Sequence, residues 1–199
     1  MKVLAKINRG VILTVVVLLG VAAYLIGLEV MHSAARKEIG ALCEEYIQAE
    51  LRYHMLPEEY RGATPGMTEA ELDGYIAQMK EDLTPYYVDN EQTYRYLFNS
   101  LEESLRNQAQ GYDVTYELTK DIMKTEITFD GDKASVQLSC YTTLKGTAAY
   151  TPDIAASTTT RDSSASGETR DTLYLQRVDG EWKLTYSNLT VPYAQFGGL

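Results

Sequence analysis

Along this chain the spacing of apolar positions changes twice. Gly10 to Leu28 is an unbroken apolar run of 19 residues without a charge, in which only Thr14 is strongly polar. At about 1.5 Å per residue it makes roughly 28 Å of helix, close to the hydrocarbon thickness of a bilayer. After it the period becomes three and four. Ile39, Leu42, Cys43, Tyr46, Ile47 and Leu51 recur at helical spacing, opposite Arg36, Lys37, Glu44, Glu45, Gln48 and Arg52. A helix is therefore expected over 31–55, ended by Pro57 and the loop RGATPG. Thr68 with Glu71 forms a capping box that opens a second helix over 68–84, striped by Leu72, Tyr75, Ile76, Met79 and Leu83. Pro85 stops it. A third helix over 89–110 carries Tyr94, Leu97, Phe98, Leu101 and Leu105, and Gly111 closes it.

Beyond Gly111 the period is two, and strands are expected over 113–192. Val114, Tyr116 and Leu118 alternate with polar residues. The first hairpin turns near Asp130-Gly131, and Ala134, Val136, Leu138, Cys140 and Leu144 share the inner face of its second arm. The second hairpin turns at Asp179-Gly180. Leu173 and Leu175 lie on one arm and Trp182, Leu184 and Tyr186 on the other. The Ser- and Thr-rich stretch 150–169 reads as a long loop. Helices first and about five antiparallel strands afterwards make an α+β order, with the helices on one face of a curved sheet.

The flanks of the first run decide what it is. Secretory apolar regions run about 7–15 residues and end at small-residue cleavage sites. Here the run is longer, and Ser33-Ala34-Ala35 lies beyond Glu29 and His32. Residues 10–30 are read as a retained signal anchor. Lys2, Lys6 and Arg9 precede it without an acid, so residues 1–9 are expected in the cytoplasm and 31–199 outside, as a single-pass membrane protein. About 170 residues remain for one extracytoplasmic domain. The first nine residues hold three of the 18 basic residues and none of the 28 acidic ones, so the remainder carries a formal −13 against −10 for the chain. Such a surface repels phosphate backbones, and nucleic acid is not an expected partner.

Chemistry is sparse. Cys43 and Cys140 are either a disulfide, favoured by an oxidising compartment, or two core thiols. No metal site is expected from two separated histidines, and no cofactor motif is present. Glu117, Glu126 and Asp171 read as the polar phase of their strands, so no acid–base pair is placed inside and no catalytic residue is assigned. His54 and the tyrosines Tyr86, Tyr87, Tyr94 and Tyr96, with Trp182, are the candidate pocket or interface residues.

In the order of its elements, in FDGDKASVQLS, and above all in RVDGEWKLTYSNL, the chain resembles the nuclear transport factor two-like (cystatin-like, SnoaL-like) superfamily. The resemblance implies a cone-like fold, in which a bent sheet wraps a long N-terminal helix and leaves a pocket. It also implies a range of roles, from isomerases and dehydratases to membrane-anchored assembly proteins. With no catalytic constellation, the expected function is a non-enzymatic protein-interaction or envelope-assembly module. Its partners would be other membrane or envelope proteins, or further copies of the chain. The alternative is a small-molecule-binding or sensor domain that uses the pocket, and an isomerase- or dehydratase-like enzyme comes after it.

Overall fold

A computed structural model describes residues 9–62, 65–89, 91–150 and 159–193. Three α-helices come first: α1 (Arg9–Arg52), α2 (Glu69–Leu83) and α3 (Glu91–Ala109). Four strands follow: β1 (Thr115–Asp130), β2 (Lys133–Tyr150), β3 (Thr159–Val178) and β4 (Glu181–Asn188). They form one antiparallel sheet in the order β1-β2-β3-β4. The class is α+β, as the change of period predicts.

Contacts divide the chain into two units, Met1–Gly40 and Ala41–Leu199. In the first, the described apolar side chains of α1 between Val15 and Met31 stand in the open, among them Leu18, Leu25, Ile26 and Val30. This stretch, with a mean hydropathy of 2.2, is long and apolar enough to cross a membrane.

In the second unit each helix buries one stripe. On α1 it is Cys43, Tyr46, Ile47 and Leu51, on α2 Leu72, Ile76, Met79 and Leu83, and on α3 Phe98, Leu101 and Leu105. Burying each such aliphatic or aromatic side chain contributes about 1.5–3 kcal/mol. Thr68 caps α2 as expected: its hydroxyl accepts from the Glu71 backbone N–H, and the Glu71 carboxylate accepts from the Thr68 N–H at 2.8 Å. The inner face of β2 runs through Ala134, Val136, Leu138, Cys140, Leu144 and Ala148, all buried. The β3–β4 hairpin turns on Asp179 and Gly180, both at positive φ (52° and 92°), the conformation that a two-residue hairpin turn demands.

Three expectations are corrected. Residues 159–169 are not loop but the first half of β3, with Leu144 opposite Ala165 and Ala148 opposite Arg161; residues 151–158 lie outside the described residues. Threonine suits a pleated strand, and Ala165 and Thr169 alternate inward in phase with the leucines that follow, so polar composition hid a strand. Among the described residues the strands accordingly number four, longer than expected. Second, Tyr116 and Tyr186 point outward, at 38% and 45% exposure, although period two from their neighbours predicts the inner face. A register shift between Thr115 and Glu117 reverses the phase in β1, and in β4 Leu184 and Tyr186 pair with consecutive residues of β3, leaving Thr185 as a bulge. Third, Asp171 is buried. It shares the phase of Leu173 and Leu175, and its side chain meets Lys120 from β1.

Candidate functional site

Two groups of polar side chains lie inside the second unit. They differ in whether their hydrogen bonds are complete.

The first joins β1, β2, β3 and the segment after β4. Lys120 and Asp171 have fully buried side chains, and the Lys120 ammonium donates to Asp171 Oδ1 and Oδ2 at 2.9 and 2.7 Å. It also donates to the Thr190 carbonyl at 3.0 Å. Asp171 Oδ1 accepts from the Thr190 N–H at 2.8 Å, and the Cys140 thiol donates to Oδ2 at 3.5 Å. Thr142 and Thr169 bond each other beside it at 2.8 Å. Neither Lys120 nor Asp171 leaves an unpartnered atom. A buried ion pair is tolerable only when so satisfied, and this one fastens the chain after β4 to the sheet.

The second group is incomplete. Glu50 and His54 sit one turn apart near the C-terminus of α1. Counting by three and four from Cys43 gives 46–47, then 50, then 54, so both fall on the buried stripe. Glu50 is 1% exposed and His54 8%. The Gln108 amide on α3 holds the end of this helix: its Nε2 donates to the His54 carbonyl at 2.9 Å, and its Oε1 accepts from the Thr115 N–H at 3.0 Å. His54 Nδ1 lies 3.3 Å from the Tyr193 hydroxyl. His54 Nε2 is 3.5 Å from Glu50 Oε1 without hydrogen-bond geometry. Buried Glu50 Oε2 and His54 Nε2 have no partner among the described residues.

Beside them three hydroxyls form a triangle. Those of Tyr46, Tyr87 and Ser187 lie 2.6 Å from one another. Burial first, and then the Glu50 charge, push the Tyr46 and Tyr87 phenols well above their ordinary range, so both stay protonated and can donate. Burial raises the Tyr193 phenol as well. Tyr87 is set by the 3₁₀ turn Thr84–Tyr86 and by the following Val88 N–H, which donates to the Leu184 carbonyl at 2.9 Å. Ser187 faces inward because of the bulge at Thr185.

Of these groups Glu50, His54, Tyr87 and Ser187 line a cavity of about 300 Å³, walled further by Tyr96, Leu97, Ser100 and Leu101 of α3 and by Tyr186, Asn188 and Leu189. A carboxylate, an imidazole and hydroxyls thus meet in a space with apolar walls. Such an arrangement can accept hydrogen bonds, or a proton, from a bound molecule. A second hollow, about 390 Å³ beside Phe129, Lys133 and Tyr174, contains none of the unpartnered buried atoms.

The expected site residues divide accordingly. His54, Tyr87 and Tyr96 line the cavity. Tyr96 is 85% exposed. Tyr94 packs on Tyr87 and Phe98 with ring centroids 5.6 and 4.9 Å away. Tyr86 packs on the edge of Tyr46 and donates to Glu45 at 2.9 Å. Trp182 is buried against Phe129 and is not among the cavity's lining residues. Cys43 and Cys140 are separate buried thiols, not a disulfide. Cys43 sits in the α1 stripe, while Cys140 points at Asp171. Burial pushes them up to about 12 and about 11.

Of the acids read on the polar phase of their strands, Asp171 faces inward instead, and Glu50, on α1 and outside that reading, is buried as well. The spacing 43–47–50–54 could have revealed Glu50. The hydroxyl triangle had no sequence signal, since its members are 41 and 100 residues apart.

No family model matches the chain. No curated protein matches it either. Among solved structures, an NTF-2 like protein of unknown function from Shewanella oneidensis is similar at 15% identity and a TM-score of 0.36, over 77% of this chain and 96% of that one. A nuclear transport factor 2 (NTF2-like) superfamily protein from Salmonella enterica is similar at 10% identity and 0.28, over 47% and 58%. A putative calcium/calmodulin dependent protein kinase II association domain from Xanthomonas campestris is similar at 14% and 0.29, over 67% and 95%. At these identities and scores the likeness says nothing of this chain's ligand or activity.

Proposed function

We propose that the chain is a single-pass membrane protein whose domain outside the membrane binds a small molecule in the cavity at Glu50 and His54. The apolar α1 segment supports the anchor, and the basic residues before it support a cytoplasmic N-terminus. One observation carries the binding role: two buried polar atoms, Glu50 Oε2 and His54 Nε2, have no partner among the described residues, and both residues line a hollow. Each such atom costs about 1–3 kcal/mol when left unmade, and folds keep that cost where a ligand or ordered water offsets it. The proposed role is binding without turnover, because a base and hydroxyls alone define no reaction. The test is a thermal-shift screen of the full-length protein in detergent, against polar and amphipathic small molecules. Compounds that raise Tm in the parent, but not in a variant with the cavity filled by Leu97→Trp, support the reading. A screen in which every shift persists in that variant refutes it.

A second reading, a module that docks another envelope protein or a further copy of the chain, rests on different residues. Tyr116, Tyr141, Tyr174 and Tyr186 are 38–47% exposed, and Tyr174 and Tyr186 pair across β3 and β4 at 5.6 Å. Exposed tyrosines are favoured at interfaces. Crosslinking from intact cells tests it: specific membrane proteins captured by the parent, and lost on Tyr174→Ser/Tyr186→Ser, support it. Capture that is unchanged refutes it.

A further inference from the structure

We infer that the Glu50–His54 cavity takes a primary ammonium group carried on a compact apolar body. This inference rests on the binding role proposed above and names the class of ligand. Among the lining residues Glu50 and His54 bring acceptors, beside the hydroxyls of Tyr87 and Ser187 and the Asn188 amide, which can also donate. Glu50, with a side chain 2% exposed, leaves Oε2 without a partner among the described residues. His54 likewise leaves Nε2 without a partner among the described residues. When Nδ1–H donates to the Tyr193 hydroxyl at 3.3 Å, Nε2 carries the lone pair and accepts. Ser187 Oγ keeps acceptor capacity beyond its bonds to the two tyrosines.

The Glu50 carboxylate, the His54 lone pair and the Ser187 oxygen match the N–H bonds of R–NH3+, whereas a carboxylate or phosphate would meet the Glu50 carboxylate. The formal charge agrees. Neither lysine nor arginine is among the described residues that line the cavity. An ammonium would complete the ion pair that Lys120 already supplies to Asp171 in the other buried group. The walls suit the remainder of such a molecule. Leu97, Leu101 and Leu189 give apolar contact, and Tyr87 adds an aromatic ring to the lining. At about 300 Å³ the cavity is at the small end of ligand pockets. The surrounding domain carries a formal −13, which raises the local concentration of cations.

The experiment compares three probes of one shape: 2-phenylethylamine, 2-phenylethanol and phenylacetate. Each is titrated calorimetrically into the full-length protein in detergent near pH 7, and into Glu50→Gln and Leu97→Trp variants whose fold is checked by circular dichroism. The amine is expected to bind at least tenfold tighter than the alcohol, with phenylacetate weakest. Glu50→Gln should weaken the amine at least tenfold and leave the alcohol within threefold. Leu97→Trp should abolish both.

If the alcohol or the acid binds as tightly as the amine, and Leu97→Trp blocks it, the cavity is a binding site but the ammonium class is wrong. Amine affinity that survives Glu50→Gln or Leu97→Trp overturns the inference, as does no binding by any of the three. In that last case the broader reading still stands or falls on the thermal-shift screen.

Discussion

Replacing Lys120 by methionine tests the packing of the sheet most severely. Methionine keeps most of the stem and removes the ammonium, so the main loss is the charge opposite Asp171. Both side chains are 0% exposed, and the ammonium makes three bonds of 2.7–3.0 Å to Asp171 and the Thr190 carbonyl. Removing one partner of a buried ion pair costs about 3–5 kcal/mol, because the other charge is left uncompensated. For a domain of this size about 1 kcal/mol moves Tm by roughly 2–4 °C. Lys120→Met should therefore lower Tm by roughly 6–20 °C. Adding Asp171→Asn removes the stranded charge and keeps an oxygen for the Thr190 N–H, which now donates to Oδ1 at 2.8 Å. The double variant should recover at least half of the loss. Urea unfolding of the full-length protein in detergent reads both, followed by the fluorescence of Trp182, the only tryptophan in the chain and one buried in the sheet. A cost below about 1 kcal/mol for Lys120→Met, or a double variant no more stable than the single one, would refute the account of a dry, mutually dependent pair.

Other outcomes follow from the same structure. Thr68→Ala removes the hydroxyl half of the capping box and should cost about 1 kcal/mol, read as a lower urea midpoint with unchanged slope. Neither Cys43 nor Cys140 should react with an aromatic disulfide reagent at pH 8 in the folded protein, and both should react in urea without reductant; no thiol appearing on unfolding would restore the disulfide. The same thiols fix a sign. Their folded values, about 12 and about 11, lie above the ordinary one near 8.5, so their contribution to stability is complete below about pH 8.5 and is lost as pH rises toward 11 and 12. The urea midpoint should fall on going from pH 8 to pH 10.5, and fall less in a Cys43→Ala/Cys140→Ala background. Protease added to right-side-out membrane vesicles should digest the domain after residue 40, and in inside-out vesicles should leave it intact; the reverse pattern would invert the proposed topology.

Local spacing by itself determined a good deal of this protein. The apolar run, the helix stripes, the capping box at Thr68 and the two hairpin turns are properties of neighbours within a few residues, so they can be read directly from order along the chain. Glu50 and His54 belong to that class too. Their positions follow from a count of three and four; His54 was legible as a candidate, and only polarity concealed Glu50. The strand at 159–169 was concealed in the same way, because its Ser- and Thr-rich composition resembles a loop.

What the tertiary structure alone decided depends on register. A bulged residue reverses every side chain beyond it, because a strand alternates with period two. The bulge at Thr185 turned Tyr186 outward and brought Ser187 to Tyr46 and Tyr87 across 141 and 100 residues of sequence. Lys120 and Asp171 meet across 51 residues. Alternation along β3 placed Asp171 inward, but only the pairing of β1, β2 and β3 determined that a lysine would stand beside it. Completeness of hydrogen bonding separates the fastening pair from the candidate site, and that is a property of atoms in space which no spacing along the chain encodes.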